Sequence, residues 1–210
     1  MTITTQEARH MFKKIKQMFL NILGDIKLYP FPFFMVYDPS TFLVKGYHTR
    51  QAINAIQTGC IVMRGYKCYA DGYFIPGDFS HSGVYVGDGQ VIHAVAEGVE
   101  YIDLIDFLRC DRFCILKPKD QMLGADAAKK ALDFIGKPYD FDFVDGDDAF
   151  YCHEMTNACY SSLNLQKHEV RLFGIKVRPR FTCDTFLECD AFEKIMEVND
   201  DKKIYFIKSA

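Results

Sequence analysis

The sequence predicts an α+β fold in which an antiparallel sheet packs against helices. Three observations predict it. Apolar and polar residues alternate through 82–86 and 90–94 on either side of Gly87-Asp88-Gly89, the pattern of a β-hairpin. Apolar residues recur at helical spacing through 124–135 and 152–163. The chain has 210 residues, 49 % of them hydrophobic, enough for one sizeable core.

The remaining elements follow in chain order. Residues 6–27 read as an amphipathic helix, with Phe12, Ile15, Phe19, Ile22 and Ile26 on one stripe and Lys13, Lys14, Lys16 and Lys27 mostly off it. Residues 28–47 read as irregular and aromatic, turning at Asp38-Pro39-Ser40. A short helix is expected over 50–57, ended by Gly59, then a buried strand over 60–63 and a loop over 66–78. After the hairpin come a short helix (101–108) and a strand (112–117) that ends before Pro118. The helix at 124–135 presents Ala127, Ala128, Ala131, Leu132 and Ile135 and stops at Gly136-Lys137-Pro138. An acidic loop carries Asp140, Asp142, Asp145, Asp147 and Asp148 and leads to the helix at Cys152. Residues 170–180 read as extended, 183–192 as a last short helix and 204–207 as a closing strand. The expected division is an N-terminal extension, 1–48, and a catalytic domain, 49–210.

Composition excludes several function classes. The formal net charge is -3 and no basic block is present, so nucleic acid is not an expected partner. The most apolar stretch, 28–36, contains Pro30 and Pro32 and is far short of the roughly 20 residues a membrane span needs. The N-terminus is polar where a secretory signal needs a basic and then an apolar run. This predicts a cytoplasmic protein whose eight cysteines are free thiols, with phage or effector delivery as the route to an outside substrate. No cofactor or metal is expected. His153-Glu154 lacks a second zinc-ligand histidine, because position 157 is Asn157. The spacings Cys110/Cys114 and Cys183/Cys189 are not those of zinc knuckles, and the acidic run 140–148 lacks the glycine at the sixth loop position and the terminal glutamate of a calcium loop.

Two segments carry chemistry. If Gly87-Asp88-Gly89 is a three-residue connection, Val86 pairs with Gln90 and Gly83 faces His93. His81 and His93 then become diagonal neighbours on one face, roughly 7–8 Å apart at the backbone. A two-residue turn would separate them. An imidazole acting as a base needs a partner on its other ring nitrogen, so His81 is the candidate base and His93 its orienter. Cys152 begins an apolar-periodic helix, where free backbone N–H groups and the helix dipole favour a thiolate and can hold an oxyanion. His153 lies about 100° around the helix from Cys152 and is not the expected base.

The stretch 79–94, with Gly136-Lys137-Pro138-Tyr139-Asp140-Phe141 and Phe150-Tyr151-Cys152-His153-Glu154, resembles the permuted papain-like amidases. These are the YiiX-type relatives of the NlpC cell-wall peptidases and of lecithin–retinol acyltransferase. The resemblance spans about residues 50–165. It implies a permuted papain-like fold in which the histidine precedes the cysteine, with Cys152 as nucleophile, His81 as base and His93 at the orienting position. Tyr139 and Asp140 match a motif read as structural. The departures are His153 after the nucleophile, where serine is usual, and Gly59-Cys60-Ile61 in place of Gly-Asp-Ile. The expected activity is a cysteine amidase or peptidase cleaving a small peptide-like amide, peptidoglycan-type peptides included. Two alternatives stand beside it. One is a thiol acyltransferase or lipid thioesterase held on a membrane by residues 6–27. The other is an inactive binding module on the same fold.

Overall fold

The computed structural model describes residues 42–66, 75, 77–143, 146–172 and 175–199, together with Met11, Lys14, Ile15 and the backbone of segments 26–29, 34–37 and 202–205. The chain forms two compact units, residues 1–41 and 42–210.

In the first unit, β1 (Ile26–Tyr29) and β2 (Phe34–Tyr37) pair antiparallel, Ile26 opposite Tyr37 and Tyr29 opposite Phe34. This corrects two expectations. Ile26 and Lys27 belong to a strand rather than to the end of a helix, and 28–29 and 34–37 are paired strand rather than irregular chain. The β-prone run Met35-Val36-Tyr37 matches Ile26-Lys27-Leu28. Met11, Lys14 and Ile15 are helical, but Ile15 is exposed instead of lying on a covered stripe. The rest of that expected helix, and the turn at Asp38-Pro39-Ser40, lie outside the described residues.

The second unit is built on a seven-stranded antiparallel sheet. Its strands in chain order are β3 (Ile61–Gly65), β4 (His81–Gly87), β5 (Gln90–Val95), β6 (Gly98–Asp103) and β7 (Arg112–Pro118), then β10 (Phe192–Asn199) and β11 (Lys202–Tyr205). The spatial order is β11-β10-β7-β3-β4-β5-β6. A separate two-residue hairpin joins β8 (Arg171–Leu172) and β9 (Ile175–Lys176) within the expected extended segment. Five α-helices accompany the strands among the described residues: α1 (Gly46–Ala55), α2 (Leu104–Phe107), α3 (Gln121–Asp133), α4 (Cys152–Cys159) and α5 (Cys183–Leu187).

The pleat divides the strands between two cores. Ile61, Met63, Val84 and Ile92 meet Ala127 of α3 and Met155 of α4 on one face. Val62, Val91, Phe113 and Ile115 meet Leu104 and Phe107 of α2 on the other. Each fully buried aliphatic or phenyl side chain contributes roughly 1.5–3 kcal/mol. The sheet is therefore covered on both sides at the strands that carry the histidines.

Several boundaries differ from expectation. The strand β6 occupies 98–103, and only its last turn is helical, where Asp103 Oδ1 caps α2 by accepting from the Ile105 N–H at 2.7 Å. The last helix stops at Leu187, and Phe192 opens β10 beside β7. On α3, Ala127, Ala128 and Ala131 are buried as expected, whereas Leu132, and Ile135 just beyond the helix end, are exposed. Asp140 is buried, unlike the exposed Asp142, Asp147 and Asp148, and its Oδ1 accepts from the Asp142 N–H at 2.9 Å.

The hairpin that carries the histidines reaches its register by another route. Gly87 pairs with Gln90, so the turn has two central residues, Asp88 (φ 49°) and Gly89 (φ 75°), the positive φ values a type I′ turn requires. The register shifts between Tyr85 and Gly87, leaving Val86 as an extra, bulged residue. That bulge restores the parity a two-residue turn would have broken. Gly83 faces His93, as the sequence reading required.

Candidate active site

The residues around Gly136-Lys137-Pro138-Tyr139-Asp140 fix where α4 begins. Tyr139 and Phe150 form a parallel bridge, with the Asp140 N–H donating to the Phe150 carbonyl and the Phe150 N–H donating to the Pro138 carbonyl. The chain then enters α4 through extended Tyr151, whose N–H donates to Glu154 Oε2 at 3.4 Å. Cys152 is thereby the first residue of the helix. Its thiol is buried and meets the Ser80 carbonyl at 3.8 Å, one residue before His81.

His81 opens β4 and His93 lies on β5. His81 Nε2 and His93 Nδ1 are 2.8 Å apart, and the rings meet edge-on with centroids 5.0 Å apart. Both rings pack against Phe107, at 5.6 and 5.8 Å. Arg64 stands opposite His81 across the β3–β4 ladder, its guanidinium carbon 4.6 Å from the Phe107 ring centre. Glu100 stands opposite His93 across the β5–β6 ladder, with Oε1 3.8 Å from His93 Nε2.

Burial sets the protonation states. It pushes His81 well below the ordinary imidazole range, helped by repulsion from Arg64, His93 and His153. Burial and Arg64 lower His93 to about 4. Burial also pushes the Cys152 thiol up to about 11, although the backbone N–H groups of Ser82, His153 and Cys152 pull it down. The helix N-terminus does favour the thiolate, as expected, but desolvation outweighs it. Burial thus favours a neutral thiol at Cys152 and a neutral imidazole at His81.

His153 belongs to another network. Its Nδ1 lies 2.7 Å from Ser82 Oγ, Ser82 Oγ lies 2.9 Å from Thr156 Oγ1, and Thr156 Oγ1 donates to the Cys152 carbonyl at 3.0 Å. With the Thr156 proton on that carbonyl, Ser82 donates to Thr156 and His153 Nδ1–H donates to Ser82. These contacts tie α4 to β4.

A small cavity of about 20 Å³ lies beside the thiol, walled by Ile75, Tyr139, Phe143, Tyr151, Arg180 and Phe181. Tyr151 Oη accepts from the Phe181 N–H at 2.8 Å, and the Arg180 guanidinium carbon sits 3.7 Å over the Phe143 ring. Sequence reasoning missed Arg64, Glu100, Ser82 and Arg180. The first two show only once strand register is known. All seven cysteines described are free thiols. Among the described residues, no three of His, Cys, Asp and Glu converge as a metal site would require, and no helix is long and apolar enough to cross a membrane.

Residues 55–195 match the profile of a family described as permuted papain-like amidase enzymes, YaeF/YiiX, C92 family. No curated protein matches the chain. The crystal structure of the metalloprotein YiiX from Escherichia coli O157:H7 is similar to it, with a TM-score of 0.55 at 19 % identity, covering 66 % of this chain and 96 % of that one. This likeness shows the fold, a mixed helix and antiparallel-sheet architecture of the permuted papain-like kind.

Proposed function

From this chain's membership of the YaeF/YiiX, C92 family of permuted papain-like amidases, which makes it an enzyme of the cysteine hydrolase type, we propose that Cys152, His81 and His93 cleave a small peptide-like amide. One observation carries the assignment. The base and its orienter are hydrogen-bonded at 2.8 Å, at the strand end where the thiol contacts the Ser80 carbonyl.

With both groups neutral at rest, the chemistry proposed is general-base rather than ion-pair catalysis. His81 Nε2 is engaged by His93, which leaves Nδ1 to take the thiol proton. The sulfur attacks the amide carbonyl, and the tetrahedral oxyanion is held by the backbone N–H groups of Cys152 and His153 at the start of α4. His81 returns the proton to the leaving amine as the C–N bond breaks, giving a thioester. Water, deprotonated by His81, then releases the carboxylic acid and the free thiol. The lining beside Cys152 is mostly apolar, which favours an apolar acyl portion, and Arg180 favours a polar or acidic end on it. Peptidoglycan-type peptides fit this description. The acyltransferase reading rests on the basic segment 6–27, most of which lies outside the described residues.

The test is Cys152→Ala, assayed with a thiol-directed electrophile and mass spectrometry alongside a panel of peptide amides. Loss of labelling at residue 152 together with loss of hydrolysis is the expected result. Hydrolysis that survives the substitution overturns the proposal.

A further inference from the structure

His93 Nε2 is buried and makes no hydrogen bond among the described residues. The carboxylate that approaches it is that of Glu100, its direct cross-strand neighbour on β6. Residues opposite each other in an antiparallel ladder share a face, so this approach is built into the register. The His93 side chain is 2 % exposed and that of Glu100 54 %, so the carboxylate is free to close from 3.8 Å to hydrogen-bond distance at little cost.

We infer that Glu100 is a positioning residue that sets the tautomers of the histidine pair. This rests on the proposed Cys152–His81–His93 chemistry and extends it by a fourth group. A carboxylate facing Nε2 demands a proton there, since the Nε2 lone pair and an ionised oxygen are both acceptors. His93 Nδ1 is then bare and accepts the proton of His81 Nε2–H. His81 Nδ1 is in turn bare, and it is the nitrogen left to receive the thiol proton. The opposite arrangement disables the site. With its proton on Nδ1, His93 donates to His81 Nε2, so neutral His81 carries its proton on Nδ1 and has no lone pair for the thiol.

The groups around the pair make this selection necessary. Arg64 on β3 faces His81 and repels a proton on either ring, and His153 on α4 repels one on His81. Glu100 on β6 is the neighbouring anion that offsets Arg64 as His81 becomes an imidazolium during turnover.

Resting-state tautomers are readable by long-range nitrogen–proton NMR of the ¹⁵N-histidine-labelled protein, independently of turnover. His93 and His81 should both carry their protons on Nε2 in the native chain. Glu100→Leu should shift His93 toward the Nδ1–H form and lower kcat roughly 10- to 100-fold with KM little changed. Glu100→Gln, which keeps an acceptor without the charge, should restore the tautomer and part of kcat. In a His93→Phe background, Glu100→Leu should add no further loss. An Nδ1–H tautomer of His93 in the native chain, or an unchanged tautomer in folded Glu100→Leu, overturns the inference. If Cys152 proves dispensable while these tautomers hold, the proposed reaction fails and the positioning role of Glu100 does not.

Discussion

His81 and Ser82 are adjacent on β4, point to opposite faces of the sheet, and each holds another histidine. Ser82 binds His153 on the face covered by α3 and α4, in a chain of hydrogen bonds that ends on the backbone of α4 at Cys152. His81 binds His93 on the face covered by α2, beside Arg64 and within reach of Glu100. Burial drives all three imidazoles toward the neutral form. Their acidity therefore does not separate the histidine proposed as base from the one in the hydroxyl network. Their partners do. His153 is bonded to hydroxyls that fasten helix to strand, whereas His81 is bonded to a second imidazole able to pass a proton preference along. The strand pleat, with its period of two, keeps these networks apart although they start from neighbouring residues.

Substitution on each face breaks this comparison most directly. His81→Ala should lower kcat/KM by about 10²- to 10⁴-fold, the usual contribution of a general base, while the melting temperature moves only a few degrees. His153→Ala should do the reverse. It leaves Ser82 and Thr156 short of a partner and opens a cavity, at a cost of about 2–4 kcal/mol in urea denaturation. Equal stability losses in the two variants would erase the distinction drawn here.

Acid is the next lever, and it acts on both faces. His93 and His153 sit at about 4 in the folded chain against an ordinary value near 6.5. Between those values the unfolded chain binds protons that the folded chain refuses. Stability is thus full above about pH 6.5 and falls as pH drops toward 4, by up to roughly 3 kcal/mol per histidine. Glu154 opposes this over the same window, because burial raises it to about 7 and the folded chain holds its proton longer than the unfolded one. Urea midpoints from pH 4 to 7 should still rise with pH, and His93→Phe should flatten the rise. A flat native profile would mean that water reaches these rings.

How much of this was legible in the sequence varies with the range of the interaction. Strand alternation and the Gly87-Asp88-Gly89 turn were enough to pair Gly83 with His93, but the bulge at Val86 was invisible, because a three-residue loop and a bulged two-residue turn give the same parity. The strand β10 was missed where Glu193, Lys194 and Glu197 interrupt its apolar pattern, although Lys194 and Glu197 satisfy each other at 2.7 Å. The state of the thiol was legible only in part, since the dipole of a helix N-terminus is local and desolvation is a property of the finished fold. Ser82 and His153 are 71 positions apart, a separation over which periodicity carries no signal.

The smallest expected effect comes from a single methyl group at Gly83. A Cβ there would lie 2.7 Å from Val91 Cγ1, 2.8 Å from the Ile92 carbonyl oxygen and 3.2 Å from His93 Cβ. The valine methyl can rotate aside, but the carbonyl belongs to the ladder and cannot, so the strands must separate slightly at the position that carries His93. Gly83→Ala should cost about 1–3 kcal/mol, the usual range for overpacking. It should also lengthen the 2.8 Å contact between His81 and His93, lowering kcat by much less than His81→Ala does. The network on the Ser82 face should be untouched, because Gly83 and Ser82 point to opposite sides. If the variant melts like the native chain and keeps its rate, the spacing of β4 and β5 is not what holds the histidine pair, and Phe107 packed against both rings takes over that role.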